Sequence, residues 1–189
     1  ANDLSRRPEF KTKRRPKQWN SDVKAMDEAL AKEGLAHSIT EIYSPQRVTA
    51  MAELLGLIPG MALDLTTNDF DGQPWDFNIE EKRQRAMDMI KSKKALLLIG
   101  SPMCSAFSQL QNINFSKMSS TDVHNIKEYG RKHLEFCMEL YKEQHRNGLY
   151  FLHEHPFRAS SWENEKVKEV LELDGVMKVK SHMCWNERR

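Results

Sequence analysis

The 189-residue sequence has few cysteines and no long apolar run. Its three cysteines are widely spaced without any Cys-x-x-Cys pair, which disfavours both a disulfide framework and a cysteine-rich zinc site. The chain lacks an apolar run of about 18 residues, and its first residues lack the apolar core of a signal peptide, so neither a membrane span nor secretion is predicted. We therefore expect an intracellular protein, nuclear or cytoplasmic, with no membrane partner.

The chain has little net charge, because its basic and acidic residues nearly balance at a formal net charge of +2, but the charge is unevenly distributed. Residues 1–20 hold seven basic residues and two acidic ones. We predict a disordered basic arm over residues 1–19, followed by a single α/β domain over residues 20–189. Such an arm neutralises phosphates without reading bases, and Arg14, Arg15 and Lys17 are the candidates for nucleic-acid contact. A localisation signal and a solubilising tail are the alternatives.

Apolar runs alternate with segments of helical periodicity along the rest of the chain. Strands are predicted at 61–65, 95–99, 149–152 and 176–179, and helices at 22–34, 45–55, 79–94, 121–144 and 160–173. Ser44 and Pro45 are expected to begin the second helix, and Gly56 to end it. The pattern predicts a parallel or mixed sheet with helices on both faces, and function in the loops 66–78, 100–108 and 153–156.

The loop after the most apolar strand reads Gly-Ser-Pro-Met-Cys-Ser-Ala-Phe-Ser over residues 100–108. It resembles the catalytic loop of cytosine-5 DNA methyltransferases, which has Gly, Pro, Cys, Phe and Ser at these positions. The resemblance implies a class I methyltransferase-like (Rossmann-like) fold. It also implies that Cys104 attacks C6 of a flipped cytosine, so that C5 accepts a methyl group from S-adenosylmethionine. Pro102 would then adjoin the cofactor, and Ser105 and Ser108 the DNA.

The stretch His153-Glu154-His155-Pro156 resembles the Glu-Asn-Val element of the same family. In that family the carboxylate contacts N3 of the target cytosine and assists nucleophilic attack. The resemblance assigns this role to Glu154, while His155 replaces the asparagine and Pro156 the valine.

A cofactor site is implied around Asp64 by the same resemblance. Asp64-Leu65 after a short strand is similar to the start of the family's cofactor motif, but Thr66 and Thr67 stand where a glycine pair normally follows. Asp64 and Thr66 are the cofactor candidates there. The family's ribose-binding acid follows a second strand, and no further strand is predicted between 69 and 95. Trp75 and Asp76 are therefore assigned to the adenine and ribose.

The chain is short for this family. Only 35 residues follow Glu154, too few for a target-recognition region, so the fold is expected to be incomplete, divergent or truncated, with a protein partner able to supply the missing part. Over about 41–184 the sequence also resembles uncharacterised open reading frames associated with eukaryotic mobile elements, which bring no established activity.

The sequence leaves several alternatives open. Cys137 is interpreted as a core residue, and the large aromatics Trp75, Phe77 and Trp162 as core anchors rather than stacking platforms. A metal site formed by His153, His155, His182 and Cys184 is a further hypothesis. Asp64, within a predicted apolar strand, needs donors or a charged partner. Two functions compete: an active methyltransferase, and a degenerate methyltransferase fold that serves in nucleic-acid binding or assembly.

Overall fold

The computed structural model describes residue 28, residues 37–93 and residues 95–181. The predicted basic arm, the predicted helix at 22–34 except for residue 28, and the metal candidates His182 and Cys184 lie outside these residues. Within the described part, no helix has the length and apolar character that crossing a membrane requires.

Four parallel strands form one sheet. They are β1 (His37–Ile42), β2 (Pro59–Leu63), β3 (Ala95–Gly100) and β4 (Tyr150–His153), in the order β2-β1-β3-β4. This confirms the predicted α/β class and the three strands expected near residues 61, 95 and 149. The prediction of a strand at 176–179 is wrong, because that segment is irregular. Its Lys178 side chain lies against the ring of Trp162 instead.

The strand β1 was not predicted, although it pairs with both β2 and β3 and is therefore central. Its sequence, His-Ser-Ile-Thr-Glu-Ile, mixes polar and apolar residues, so it lacks the continuous apolar run that indicates a buried parallel strand. Ser38, Thr40 and Glu41 are nevertheless buried. Hydrogen bonds satisfy two of these side chains: the Ser38 hydroxyl accepts from the Ile58 amide at 3.0 Å, and Glu41 is described below.

Five helices surround the sheet in the described residues. They are α1 (Thr49–Ala52), α2 (Glu80–Lys93), α3 (Gln111–Phe115), α4 (Ser120–Arg146) and α5 (Glu165–Leu171), and 3-10 turns lie at Glu53–Leu55, Ser105–Phe107 and Ser160–Glu163. The predicted helix at 45–55 begins late, because Ser44 donates its hydroxyl to Glu41 instead of capping the helix. Gly56 ends it, as predicted, with a φ of 73°.

The core lies between α2, α4 and one face of the sheet. Its centre comprises Ile42, Leu98, Leu134, Tyr141 and their neighbours, all fully buried. Right-handed crossovers require α1 to lie on the opposite face from α2 and α4, because the chain moves outward from β1 to β2 and then returns to β3. Part of the α1 face is open at β4, where Tyr150 is 65% exposed and Leu152 is 53% exposed.

Candidate functional site

The candidate site lies at the edge of the sheet where all four parallel strands end. The loops after β2, β3 and β4 meet there, as the sequence predicted, together with the loop after β1. From the end of β1 the chain crosses to its neighbour β2, and from the end of β3 it crosses in the opposite direction to β4. The crevice between β1 and β3 is therefore the topological switch point, where open α/β sheets bind their ligands.

Cys104 lies on the loop after β3, just before the turn Ser105–Phe107. Its thiol is half-buried, and its carbonyl accepts a hydrogen bond from the Phe107 amide at 3.0 Å. Gly130 of α4 allows this loop to pack closely, since a Cβ at that position would lie 2.6 Å from the Cβ of Ala106. The loop is thus held against a long helix while the Cys104 side chain remains at the surface of the site.

Glu154 directly follows β4, the strand next to β3, and so lies beside the start of the Cys104 loop. Its amide donates to the carbonyl of Gly100 at 3.0 Å, which extends the pairing of β3 with β4 by one residue, and its side chain is exposed. The two residues predicted to be catalytic are therefore brought to the ends of adjacent strands. Their catalytic roles stay predictions.

Two stacked histidines lie behind Glu154. His153 receives or donates a hydrogen bond at Tyr141 Oη (3.1 Å from Nδ1), His155 does so at Ser161 Oγ (2.5 Å from Nδ1), and the ring centroids are 5.3 Å apart. Burial, with a smaller contribution from His155, lowers the pKa of His153 to about 3. Burial also lowers the pKa of His155, although a hydrogen bond with the Met103 backbone opposes it. Both rings are therefore neutral near pH 7.

The histidine pair supports the Cys104 loop rather than a recognisable metal centre. The ring of His155 lies 5.9 Å from that of Phe107, between the loop and the end of β4. No group of three or more potential ligands occurs among the described residues. The other two members of the metal hypothesis, His182 and Cys184, fall outside them.

Glu41 is a site residue that the sequence did not reveal. Its carboxylate is buried at the end of β1 and accepts hydrogen bonds from Thr49 N and Oγ1 (2.7 and 2.6 Å), Val48 N (3.2 Å), Arg47 N (3.3 Å) and Ser44 Oγ (3.0 Å). Burial raises the pKa of Glu41, but the bonds from Thr49, Val48 and Ser44 outweigh it and hold the pKa below its usual value. The available signal was the hydroxyl-rich Ser44 and Thr49 on either side of a short loop.

The loop after β1 also contains a strained residue. Tyr43 has a φ of 57°, in the left-handed region that bulky side chains disfavour. Its hydroxyl lies 2.9 Å from Nδ1 of His133, and its ring packs 4.8 Å from Phe77. Backbone strain of this kind persists only where surrounding contacts enforce it, and it clusters at functional sites.

The predicted cofactor residues lie along the loop after β2. Asp64 comes just after the strand rather than within it, is half-buried, and accepts from Thr66 N and Oγ1 at 3.0 and 2.8 Å. Asp76 accepts from the Asn78 amide at 2.9 Å. Trp75 is only 3% exposed and contacts Phe77, so it is a core anchor, as the alternative interpretation expects, and its ring is not open to an adenine.

A cleft of about 470 Å³ opens beside this loop. Leu65, Pro74 and Ile79 give it apolar walls, and Asp76, Lys82 and Arg85 add charge. Lys82 is itself buried and bonds Asp69 at 2.8 Å and Asp71 at 2.7 Å, which fixes the loop to the start of α2. The structure brings Asp76 to this cleft.

No family model, no curated protein and no solved structure matches the chain. The assignment of the α/β fold therefore rests on the geometry of the four-stranded parallel sheet alone.

Proposed function

We propose that this chain is a cysteine-dependent enzyme of the cytosine-5 DNA methyltransferase type. The observation that carries the proposal is the arrangement of Cys104 and Glu154 on loops that leave adjacent parallel strands at the switch-point edge. A nucleophile and an acid at neighbouring strand ends can approach one pyrimidine from two sides, which the reaction requires.

The order of the strands gives further support. In the resembled family the cofactor motif follows a first strand and the ribose-binding acid a second one. Because β1 precedes β2 and lies beside it, Asp64 follows the second strand of this sheet rather than the first. Asp64 then corresponds to the ribose-binding acid, and the loop at Tyr43 takes the position of the cofactor motif.

The residues near Asp64 fit the nucleoside half of S-adenosylmethionine. The cleft is within the size range of small-molecule sites, and Leu65, Pro74 and Ile79 provide the apolar walls that an adenine needs. Asp76, which lines the cleft, offers a carboxylate to a ribose diol, and Asp64, next to the lining residue Leu65, is the second candidate. The cofactor, when bound, supplies the methyl group.

The chemistry of the chain's own residues follows from their positions. The Cys104 sulfur forms a bond to C6 of the pyrimidine, while the protonated carboxyl group of Glu154 donates its proton to N3 and so neutralises the negative charge that develops on the ring. The electron pair of the former C5–C6 double bond is then available at C5. That pair would form the bond to the transferred methyl group, after which the C5 proton passes to solvent water. The C5–C6 double bond is then restored as the C6–sulfur bond breaks, and the bonding pair leaves with the sulfur as thiolate.

Covalent trapping on an oligonucleotide that contains 5-fluorocytosine, in the presence of S-adenosylmethionine, tests this proposal. We expect an adduct that peptide mapping assigns to Cys104, no adduct for Cys104→Ala, and a strongly reduced yield for Glu154→Gln. Glu139→Gln is the matched control, because Glu139 is exposed on α4. Trapping that persists in Cys104→Ala would remove Cys104 from the mechanism.

One observation favours the second candidate, a degenerate methyltransferase fold used for nucleic-acid binding or assembly. The amides of Arg47, Val48 and Thr49, which face the switch point, already bond Glu41. They are not free for the carboxylate of a cofactor's methionine part. Calorimetric titration with S-adenosylmethionine and with its demethylated product decides between the candidates: micromolar binding, on the order of −8 kcal/mol, supports the enzyme, and no heat supports the degenerate fold.

A further inference from the structure

A cluster of aromatic and basic side chains lies just beyond Glu154, and the mechanism above does not use it. We name it the Phe157 surface, and it consists of Phe157, Trp162, Lys178 and Lys180. Phe157 is 52% exposed, an unusual position for a phenylalanine in a loop that leaves the sheet. Trp162 is half-buried beside it.

Lysine ammonium groups surround these rings. Lys178 Nζ lies 4.0 Å from the ring centroid of Trp162 and 5.7 Å from that of Phe157, and Lys180 Nζ lies 4.7 Å from the Phe157 centroid. The nearby Lys168 is engaged with Glu163 and Glu165. By contrast, neither Lys178 nor Lys180 forms an ion pair with a carboxylate among the residues that the structure describes.

The Phe157 surface is continuous with the Cys104 loop. Trp162 Nε1 donates to the Pro156 carbonyl at 2.8 Å and its ring lies 5.6 Å from that of His153. Ser160 Oγ donates to the carbonyl of Phe107 at 3.4 Å, which links this segment to the loop that carries Cys104. A ligand lying on Phe157 would therefore reach the Cys104 edge without crossing the core.

We propose that the Phe157 surface binds single-stranded nucleic acid and leads the strand to Cys104. Single-strand binding sites combine aromatic rings, on which bases stack, with cations that follow the phosphates, and this surface presents both within one segment. A base must leave its stack both to lie on Phe157 and to meet Cys104, and a single strand satisfies both requirements without the cost of unpairing. The destination at Cys104 rests on the proposed function, whereas the binding does not.

Fluorescence anisotropy of a labelled single-stranded oligonucleotide against the full chain tests the inference. We expect Lys178→Gln/Lys180→Gln to weaken binding and to reduce the slope of log affinity against log salt by about 1.4, because each phosphate contact on a single strand contributes about 0.7. Phe157→Ala is expected to weaken binding by about fivefold or more at an unchanged slope. All three side chains are exposed, so these variants keep the fold.

The matched control is Lys91→Gln/Arg146→Gln, which removes the same charge from exposed positions near the ends of α2 and α4, at the opposite edge of the sheet. A surface variant that binds with the affinity and salt slope of this control would overturn the inference. A duplex of the same sequence that binds as tightly as the single strand would overturn it as well.

Covalent trapping separates this inference from the proposed function. Cys104→Ser should still bind the oligonucleotide through the Phe157 surface. If the wild type forms no adduct but the surface variants lose binding, the proposed function fails and the inference stands. If the surface variants form adducts as fast as the wild type at limiting oligonucleotide, the inference fails and the proposed function stands.

Discussion

Replacing Glu41 by glutamine perturbs the buried carboxylate that holds the loop after β1. The two oxygens accept from five donors, three of them at 3.0 Å or less. Glutamine has nearly the same size but turns an NH₂ group toward N–H and O–H donors, so at least one buried donor loses its acceptor. A hydrogen bond to a charged group contributes about 1.5–3 kcal/mol and an unsatisfied buried donor costs about 1–3 kcal/mol. We expect a loss of about 2–4 kcal/mol in the free energy of unfolding, allowing for partial relaxation.

Urea denaturation at pH 7, followed by circular dichroism, measures this loss. A change of this size corresponds to a fall in Tm of roughly 5–15 °C for a domain of this length. The matched control is Glu53→Gln. Glu53 is exposed on the turn that follows α1, the helix that begins at Thr49, and we expect the free energy of unfolding to change by no more than about 0.5 kcal/mol. If Glu41→Gln also stayed within about 0.5 kcal/mol of the wild type, the assignment of Glu41 as the anchor of this loop would be refuted.

The pH dependence of the free energy of unfolding, measured for the wild type and for Glu41→Gln, gives an independent check. The folded pKa of Glu41 lies below its usual value of 4.5, so as pH falls the unfolded chain takes up this proton first. The contribution of Glu41 to stability is therefore complete above about pH 5 and is lost as the pH falls below 4.5. The difference between the wild type and Glu41→Gln should shrink on acidification. A difference that stays constant from neutral pH into strong acid would contradict the argument.

Three further predictions follow from neighbouring contacts. Gly100→Ala would drive a Cβ into the Tyr141 hydroxyl, so we expect the free energy of unfolding, measured by urea denaturation, to fall by about 1–3 kcal/mol. A neutral effect would show that α4 can move away from the end of β3 freely. Because His153 is held neutral with a pKa of about 3, this residue alone should cost the wild type about 2 kcal/mol of stability between pH 7 and pH 5. His153→Phe should make the pH dependence shallower by that amount, with a remainder from His155; an equal slope in both proteins would exclude His153 as a source. Deletion of residues 1–17 should lower nucleic-acid affinity and flatten its salt dependence, and an unchanged salt slope would make the basic arm irrelevant to binding.

The sequence predicted three of the four strands and missed β1, one of the two inner strands of the sheet. The strands β3 and β4 begin with apolar runs, and β2 is flanked by clear turn residues, so hydrophobic pattern alone located them. The strand β1 places Ser38, Thr40 and Glu41 in the interior, where hydrogen bonds from other segments satisfy Ser38 and Glu41. Those partners lie 8 and 20 residues away along the chain, so no local pattern indicates them.

The candidate site was predicted in part. The loop of Cys104 and the position of Glu154 could be identified from residue types, because both follow strands with an apolar signal. The spacing of His153 and His155 indicates that the two side chains lie close together, but their partners Tyr141 and Ser161 depend on how α4 and the turn at 160–163 pack against β4. Tertiary packing decides such contacts, and spacing in the sequence carries no trace of them.

The position of β1 also determines how the two functional candidates differ. Both retain the loop of Cys104, so they diverge at the loops after β1 and β2. The carboxylate of Glu41 is tethered within a few residues of the amides that it bonds, so its effective concentration there exceeds that of any free anion. A cofactor carboxylate cannot displace it without loosening α1. The enzyme therefore requires that a cofactor be recognised mainly through Asp64 and the neighbouring cleft. Asp64→Ala should then abolish cofactor binding at a cost of about 1–2 kcal/mol in the free energy of unfolding, because Asp64 also accepts two hydrogen bonds from Thr66. Retained binding in that variant would leave the degenerate fold as the better account of this edge of the sheet.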